Sequence, residues 1–334
     1  MAVKPQITAQ NELPADSPLA AELVRITELT AIAAARLRGH GDEQAADRVA
    51  TETMHAELQK LAIDGTVVVG QGPHDQSECL YVGEKIGSKR GPKVDLVLAP
   101  LEGATICAKN QANSISAAAV APRGSFLAVP KIYMEKIAIG PGYPEGLLRL
   151  DATPAENLNA LADAKGVPIS ALTVCILDRP RHARLIEEVR AAGAAIRLIA
   201  DGDVVGVIHT TMPEETGVDI YMGCGGAAEG VLAAAALACS GGQMLARLVA
   251  DRPGQVELLR KAGIGDPRRI YGIADMVCGD VIFAATAVTD GRLMKGVRFS
   301  KSGVTTHSSA MRSATGMAQS IETSYRTVGV ATPW

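Results

Sequence analysis

From about residue 144 onward the chain alternates helix-like stretches with short apolar runs. Residues 155–165 carry helical spacing, 172–177 a short apolar run, 180–192 a second helix pattern and 194–200 a second run. Parallel strands need a crossover of about this length, so the order implies βαβ units on a parallel sheet. The first half is patterned differently. Two helices are expected, from Ser17-Pro18 to about Arg38 and from about Asp42 to Lys60, because Leu19, Leu23, Ile26 and Leu29 recur with helical spacing and Gly39-His40-Gly41 breaks the pattern. Strands are then expected at 66–70, 94–98, 115–120 and 126–129. The expected class is layered α/β, with a mixed sheet in the N-terminal half and a mostly parallel βαβ sheet in the C-terminal half. A loose arm over 1–17 precedes both, and the turn cluster Gly140-Pro141-Gly142-Tyr143-Pro144 marks a boundary between subdomains 18–143 and 144–334.

Charge narrows the functional classes. A net charge of −3 with interspersed signs, and only 3% aromatic residues, gives no footprint for nucleic acid or a membrane surface. The longest apolar run, 231–239, is Ala-rich and far too short to span a bilayer. The N-terminus has no charged-then-apolar leader pattern, so a soluble cytoplasmic protein is expected. The six cysteines show no CxxC spacing, which makes buried reduced thiols the default.

Several stretches carry chemistry. The run 94–98 reads as a buried strand entering Ala99-Pro100-Leu101-Glu102-Gly103-Ala104, a tight turn with one carboxylate. A buried strand ending in an acidic turn is a common way to hold a hard cation. Arg179-Pro180-Arg181 sets two guanidinium groups at a helix start, where backbone N–H groups and Arg forks together suit a phosphate. Asp201-Gly202-Asp203 places two carboxylates at a strand end, suited to sugar hydroxyls, although the bare motif is usually only a turn. Gly223-Cys224-Gly225-Gly226-Ala227-Ala228-Glu229-Gly230 opens an Ala-rich helix, but the strict glycine spacing of a dinucleotide site is absent. Asp47, one turn into the second helix, reads by position alone as a solvated carboxylate.

These stretches, in this order, resemble the class II fructose-1,6-bisphosphatases of the lithium-sensitive sugar and inositol phosphatase superfamily. The resemblance covers about residues 18–327 and implies their layered α/β fold and homo-oligomeric assembly. Gly39-His40-Gly41-Asp42-Glu43-Gln44-Ala45-Ala46-Asp47 is similar to a family loop whose last Asp orients the attacking water. Tyr133 would contact substrate phosphate. Glu102, Gly103, Arg179, Pro180, Arg181, Asp201, Gly202, Asp203 and Gly226 would complete the phosphosugar site. Glu102 and Glu229 would be metal ligands. The departures are local. Gln71 and Ala99 stand where the family has a metal-binding Glu and Asp, and Ala104 where it has the Thr that partners Asp47. The segment Tyr81-Val82-Gly83-Glu84-Lys85-Ile86-Gly87 still matches closely, and Cys278 stands where the family carries Arg.

The resemblance therefore implies a retained phosphosugar ligand with hydrolysis of the 1-phosphate strongly reduced or remodelled. At most one Mg²⁺ or Mn²⁺ is expected, held weakly, because a neutral amide lacks the charge that competes with the ion's hydration shell. Three readings follow: a sugar phosphatase with a remodelled metal site, in which His74, Asp75 or Glu78 replaces the lost ligands; an inactive sugar-phosphate sensor in mixed assembly with an active paralogue; or non-hydrolytic phosphosugar chemistry using Asp201 or Asp203 as base.

Overall fold

The computed structural model describes Leu13, residues 17–73 and residues 77–326. The chain opens with α1 (Leu19–Ala35) and α2 (Glu43–Leu58), followed by β1 (Asp64–Val69), β2 (Lys85–Ile86) and β3 (Lys93–Glu102). Then come α3 (Ala104–Ala108), β4 (Ile115–Pro122), β5 (Tyr133–Ile139), α4 (Pro154–Lys165) and β6 (Thr173–Leu177). The middle continues through α5 (Ala183–Ala192), β7 (Ala195–Ile199), α6 (Asp203–Ile208), α7 (Pro213–Thr216), β8 (Ile220–Gly226) and α8 (Ala227–Ser240). It closes with β9 (Gln243–Val249), α9 (Gln255–Lys261), β10 (Ile270–Gly272), α10 (Ile273–Met276), β11 (Ile282–Ala287), β12 (Arg298–Ser300), β13 (Gly303–Arg312) and β14 (Met317–Arg326). No helix among the described residues is long and apolar enough to cross a membrane.

The α/β class is as expected, but the halves are divided otherwise. One unit is Leu127–Cys278; the other joins the described residues up to Phe126 with those from Gly279 onward. The expected boundary at Tyr143 fails because β5 precedes it and pairs on one side with β8 and on the other with β9. The C-terminal strands, for their part, return to the first sheet, where β11 lies between β4 and β13. The arm expected to be loose lies outside the described residues except for Leu13 and Ser17, and Leu13 is buried in the core with Leu19, Leu23 and Ile26. The strand expected at 126–129 is a single bridge at Phe126, because the turn at Arg123-Gly124 ends β4 and Pro130 follows.

The discontinuous unit carries an eight-stranded sheet in the order β12-β13-β11-β4-β3-β1-β2, with β14 beside β13. The pair β1–β3 is parallel and the other ladders are antiparallel. Both helices of the N-terminal segment pack on it, α1 against β11, β13 and β4 and α2 against β3. Under α1 the interface is polar. Glu28 is buried and accepts from Thr306 Oγ1 at 2.9 Å, from Ser308 Oγ at 3.3 Å and from Tyr325 OH at 2.6 Å. A buried carboxylate is tolerable only with such donors.

The continuous unit carries a six-stranded sheet, β10-β9-β5-β8-β6-β7. It is mixed rather than mostly parallel: β6 runs parallel to β7 and β8, but β5 runs antiparallel to β8 and β9. The βαβ reading holds for β6-α5-β7, and β8-α8-β9 is a second crossover unit with β5 laid between its strands. The periodicity of β5 does not reveal its direction.

Glu28 ties α1 to strands that lie at the far end of the chain. Glu28→Leu should lower the stability of this unit by about 3 kcal/mol, since the buried hydroxyls of Thr306 and Ser308 and the half-buried one of Tyr325 lose an acceptor, while Tyr325→Phe should cost about 1 kcal/mol. Urea unfolding midpoints of the two variants check the order; equal shifts would show that the carboxylate is not the shared acceptor.

Candidate functional site

In both sheets the candidate residues sit where parallel strands end. In the discontinuous unit β1 and β3 are parallel, so Gln71 just past β1 and Glu102 at the end of β3 lie at the same sheet edge. Pro100 has no N–H to give to the ladder, and the pairing with β4 shifts register between Ala99 and Glu102. That bulge re-aims the strand end. Glu102 is buried, and Gly103 turns the chain with φ +82°, where a Cβ would lie 2.7 Å from Ile106.

Loops from the two helices are fastened to the same edge. Gly39 N donates to Cys107 O and Gly41 N to Ala108 O, both at 3.0 Å, and both glycines have positive φ. Asp42 then caps α2 by accepting from Ala45 N at 2.9 Å. Asp47 is half-buried on α2, one turn before Thr51. Gln71 Nε2 donates to Thr51 Oγ1 at 2.9 Å, so the amide is tied to the helix face that carries Asp47. The residue after Ala104 supplies a hydroxyl instead: Thr105 Oγ1 donates to Glu43 Oε2 at 2.9 Å. His74 and Asp75 lie outside the described residues, and Glu78 is exposed.

In the continuous unit, β6, β7 and β8 all deliver their carboxyl ends to one edge, and antiparallel β5 begins there. Beyond β6, Asp178 N bonds Ile199 O at 2.8 Å. The turn Pro180–His182 then leads into α5. Arg179 faces Asp201 at 3.8 Å. Arg181 is exposed; its Nε donates to Cys224 O at 2.8 Å and its guanidinium stacks 4.7 Å above the ring of Tyr133. Gly202 turns with φ +90°, and Asp203, the first residue of α6, is buried. Tyr133 pairs with Gly226 across β5 and β8, and α8 starts immediately after Gly226. Glu229 folds back over that start: a Cβ on Gly226 would lie 1.8 Å from Glu229 Oε2. Burial pushes the Glu229 carboxyl up, with Lys136 opposing and Asp203 and Asp201 adding to the shift.

The structure thus gathers Tyr133, Arg179, Pro180, Arg181, Asp201, Gly202, Asp203, Gly226 and Glu229 on one unit. Asp47, Gln71, Ala99, Glu102, Gly103 and Ala104 belong to the other. Among the described residues, no three His, Cys, Asp or Glu side chains form a group that could hold a metal ion. The donors present therefore do not fit a multi-ion centre of the family type, and no catalytic step is derived through one. None of the six cysteines is bridged; Cys107, Cys175 and Cys239 are buried, and burial pushes the Cys107 thiol to about 11 and Cys175 to about 12.

Three residues at this edge of the six-stranded sheet escape a reading by motif. His182 is buried; its Nδ1 donates to Leu177 O at 2.7 Å and its Nε2 accepts from Cys224 N at 2.8 Å. Lys136 is buried in mid-strand and bonds Asp203, whose other oxygen accepts from the buried Tyr221 OH. A signal for Lys136 existed. It alternates with Met134 and Ala138, which fixes its face as the inward one.

Comparison with known proteins supplies the context. The family described as bacterial fructose-1,6-bisphosphatase, glpX-encoded, matches residues 17–325. The D-fructose 1,6-bisphosphatase class 2/sedoheptulose 1,7-bisphosphatase of a Synechocystis species is 36% identical over 333 residues, covering 92% of this chain and 96% of its own length. The protein of the same description from Synechococcus elongatus is 36% identical over 327 residues, covering 90% of this chain and 94% of its own length.

Desolvation, with the neighbouring Arg181 charge adding to it, holds the His182 imidazole below its ordinary value of 6.5. The unfolded chain therefore takes up a proton first. The contribution of His182 is whole above pH 6.5 and falls as pH drops from there toward the folded value. His182→Gln keeps a donor and an acceptor without a titration. The melting midpoint of the parent should fall more steeply between pH 7 and 5.5 than that of the variant; parallel curves would contradict the assignment.

Proposed function

Since the chain belongs to the bacterial class II fructose-1,6-bisphosphatase family, we propose that it binds a sugar bisphosphate and hydrolyses its 1-phosphate far more slowly than a complete family site would. The observation that carries this reading is the asymmetry between the two units. At the edge of the six-stranded sheet the anion and sugar groups are present and supported, with Arg181 seated on Tyr133 and on Cys224 O. At the edge of the eight-stranded sheet, Gln71 is tied to Thr51, and Ala99 and Ala104 offer neither carboxylate nor hydroxyl.

The proposed division of labour follows from the side chains. Arg179 and Arg181 grip the distal phosphate by charge-assisted bonds, with the α5 start behind them. Tyr133 orients that phosphate, and Asp201 accepts from a sugar hydroxyl. Glu102 on one unit and Glu229 on the other are the acidic residues kept from the family's metal set, and with so few carboxylates Mg²⁺ or Mn²⁺ would bind weakly and at most once, with phosphate and water oxygens filling much of its shell. Such an ion, when bound, supplies charge stabilisation for the reacting phosphate. Asp47 remains to orient the attacking water, without the hydroxyl partner that the family has for it. A regulatory role beside an active paralogue is the second reading, and the same losses at 71, 99 and 104 favour it.

Calorimetry with fructose 1,6-bisphosphate and sedoheptulose 1,7-bisphosphate tests the pocket. The parent should bind one of them, and Arg179→Ala with Arg181→Ala should weaken it by about 1.5–3 kcal/mol per arginine. Absence of binding by the parent at millimolar ligand would remove the reading. The reaction is tested separately: Gln71→Glu, Ala99→Asp and Ala104→Thr together should raise Mg²⁺-dependent phosphate release by at least the roughly hundredfold that one preorganised group commonly supplies. Ordinary turnover by the parent, about 1–10³ per second, would show that the site is not impaired.

A further inference from the structure

Lys136 is an unusual place to find an ammonium. Its side chain is fully buried in the middle of β5, with the Asp203 carboxylate as its ion-pair partner. Taking two charges out of water costs several kcal/mol each before their attraction is counted, so such a pair is weak evidence for stability alone. The geometry around it is closely specified. Asp203 Oδ2 meets Lys136 Nζ, and Asp203 Oδ1 accepts from Tyr221 OH. Lys136 Nζ also donates to Gly226 O at 3.1 Å. A Cβ on Gly225 would lie 2.0 Å from Asp203 Oδ2, and one on Gly230 would lie 2.3 Å from Met134 Sδ. Glycine at 225 thus lets Asp203 reach Lys136 across the β8 backbone.

What the pair holds is the floor of the phosphosugar edge. Gly226 is the residue opposite Tyr133 in the ladder, Cys224 O seats Arg181, and Glu229 rests on Gly226. Movement of Gly226 would move the residues that meet the ligand. Both carboxylate oxygens of Asp203 are directed inward to Lys136 and Tyr221, whereas Asp201 stands half-buried beside Arg179.

We propose that Lys136, Asp203 and Tyr221 form a positioning clamp on the Gly223–Gly226 strand end, with Asp203 acting on the ligand through Lys136 and Gly226 rather than by accepting from a sugar hydroxyl. The inference rests on the reading of this edge as a phosphosugar site. The clamp itself is a property of the free protein and is testable without ligand.

Hydrogen exchange of a peptide spanning 221–230 is the ligand-free arm. Lys136→Met, which keeps the stem and removes the charge, and Tyr221→Phe, which removes one bond and keeps the ring, should each speed exchange there at least tenfold. Peptides from the eight-stranded sheet should be unchanged. Unchanged exchange at 221–230 in both variants overturns the clamp. If Lys136→Met does not fold, Tyr221→Phe decides alone.

Calorimetry with fructose 1,6-bisphosphate is the second arm. Lys136→Met and Asp203→Asn should each weaken binding tenfold or more, and the double variant should be no weaker than the weaker single, because both break one device. Additive losses would place Asp203 in direct contact with the ligand and overturn its positioning role. If the parent shows no binding, the phosphosugar reading fails while the exchange result still decides the clamp.

Discussion

In a parallel ladder every strand leaves the sheet at the same edge, and the chain's chemistry depends on that constraint twice. The β1–β3 pair brings Gln71 and Glu102 to one edge, although thirty residues of sequence separate them. The β7-β6-β8 ladder does the same for Asp201, Arg179 and Gly226. Antiparallel β5 contributes its first residue, Tyr133, because its direction is reversed. Side chains carried on loops are thereby held by rigid strands, which is what a site requiring close positioning needs.

The two edges are built to different standards. At the six-stranded sheet the edge is braced from several sides: Arg181 lies on the exposed ring of Tyr133 and on a carbonyl, Gly226 O accepts from buried Lys136, and Cys224 N donates to buried His182. At the eight-stranded sheet the scaffold is intact down to the Pro100 bulge and the paired glycines 39 and 41, while the charges it would present are reduced. Gln71, Ala99 and Ala104 lie within this frame without interrupting its backbone bonds, so they bear on the chemistry proposed for this edge and not on how it folds.

Much of this was legible in the residues. Helices α1, α2, α4 and α5 and strands β1, β3, β4, β6 and β7 follow from apolar spacing, and the motifs at 39–47, 179–181, 201–203 and 223–230 lie at helix starts and strand ends. What could not be read was pairing. Strand β5, with Glu135 and Lys136 at its centre, is not among the strands the spacing predicts, and it lies antiparallel between β8 and β9, a choice made by partners about a hundred residues away. The division into units was misplaced for the same reason: a turn cluster at 140–144 signals a break in local structure, not in contacts. Lys136 was hidden because a lysine within a strand is ordinarily on the solvent face, and only the alternation of its neighbours marks it as buried.

The order in which the discontinuous unit is assembled has a consequence for synthesis. β4 is buried along its whole length, and β11, its neighbour on the side away from β3, lies beyond residue 280. A chain emerging from the ribosome therefore completes Leu127–Cys278, whose ends are drawn together where Leu127 N bonds Met276 O at 2.8 Å, before β4 can be covered. For that interval an apolar strand with an open edge waits for its partner, the condition under which nascent chains aggregate. Premature termination before residue 280 would leave the continuous unit whole and the discontinuous one without the strands that cover β4.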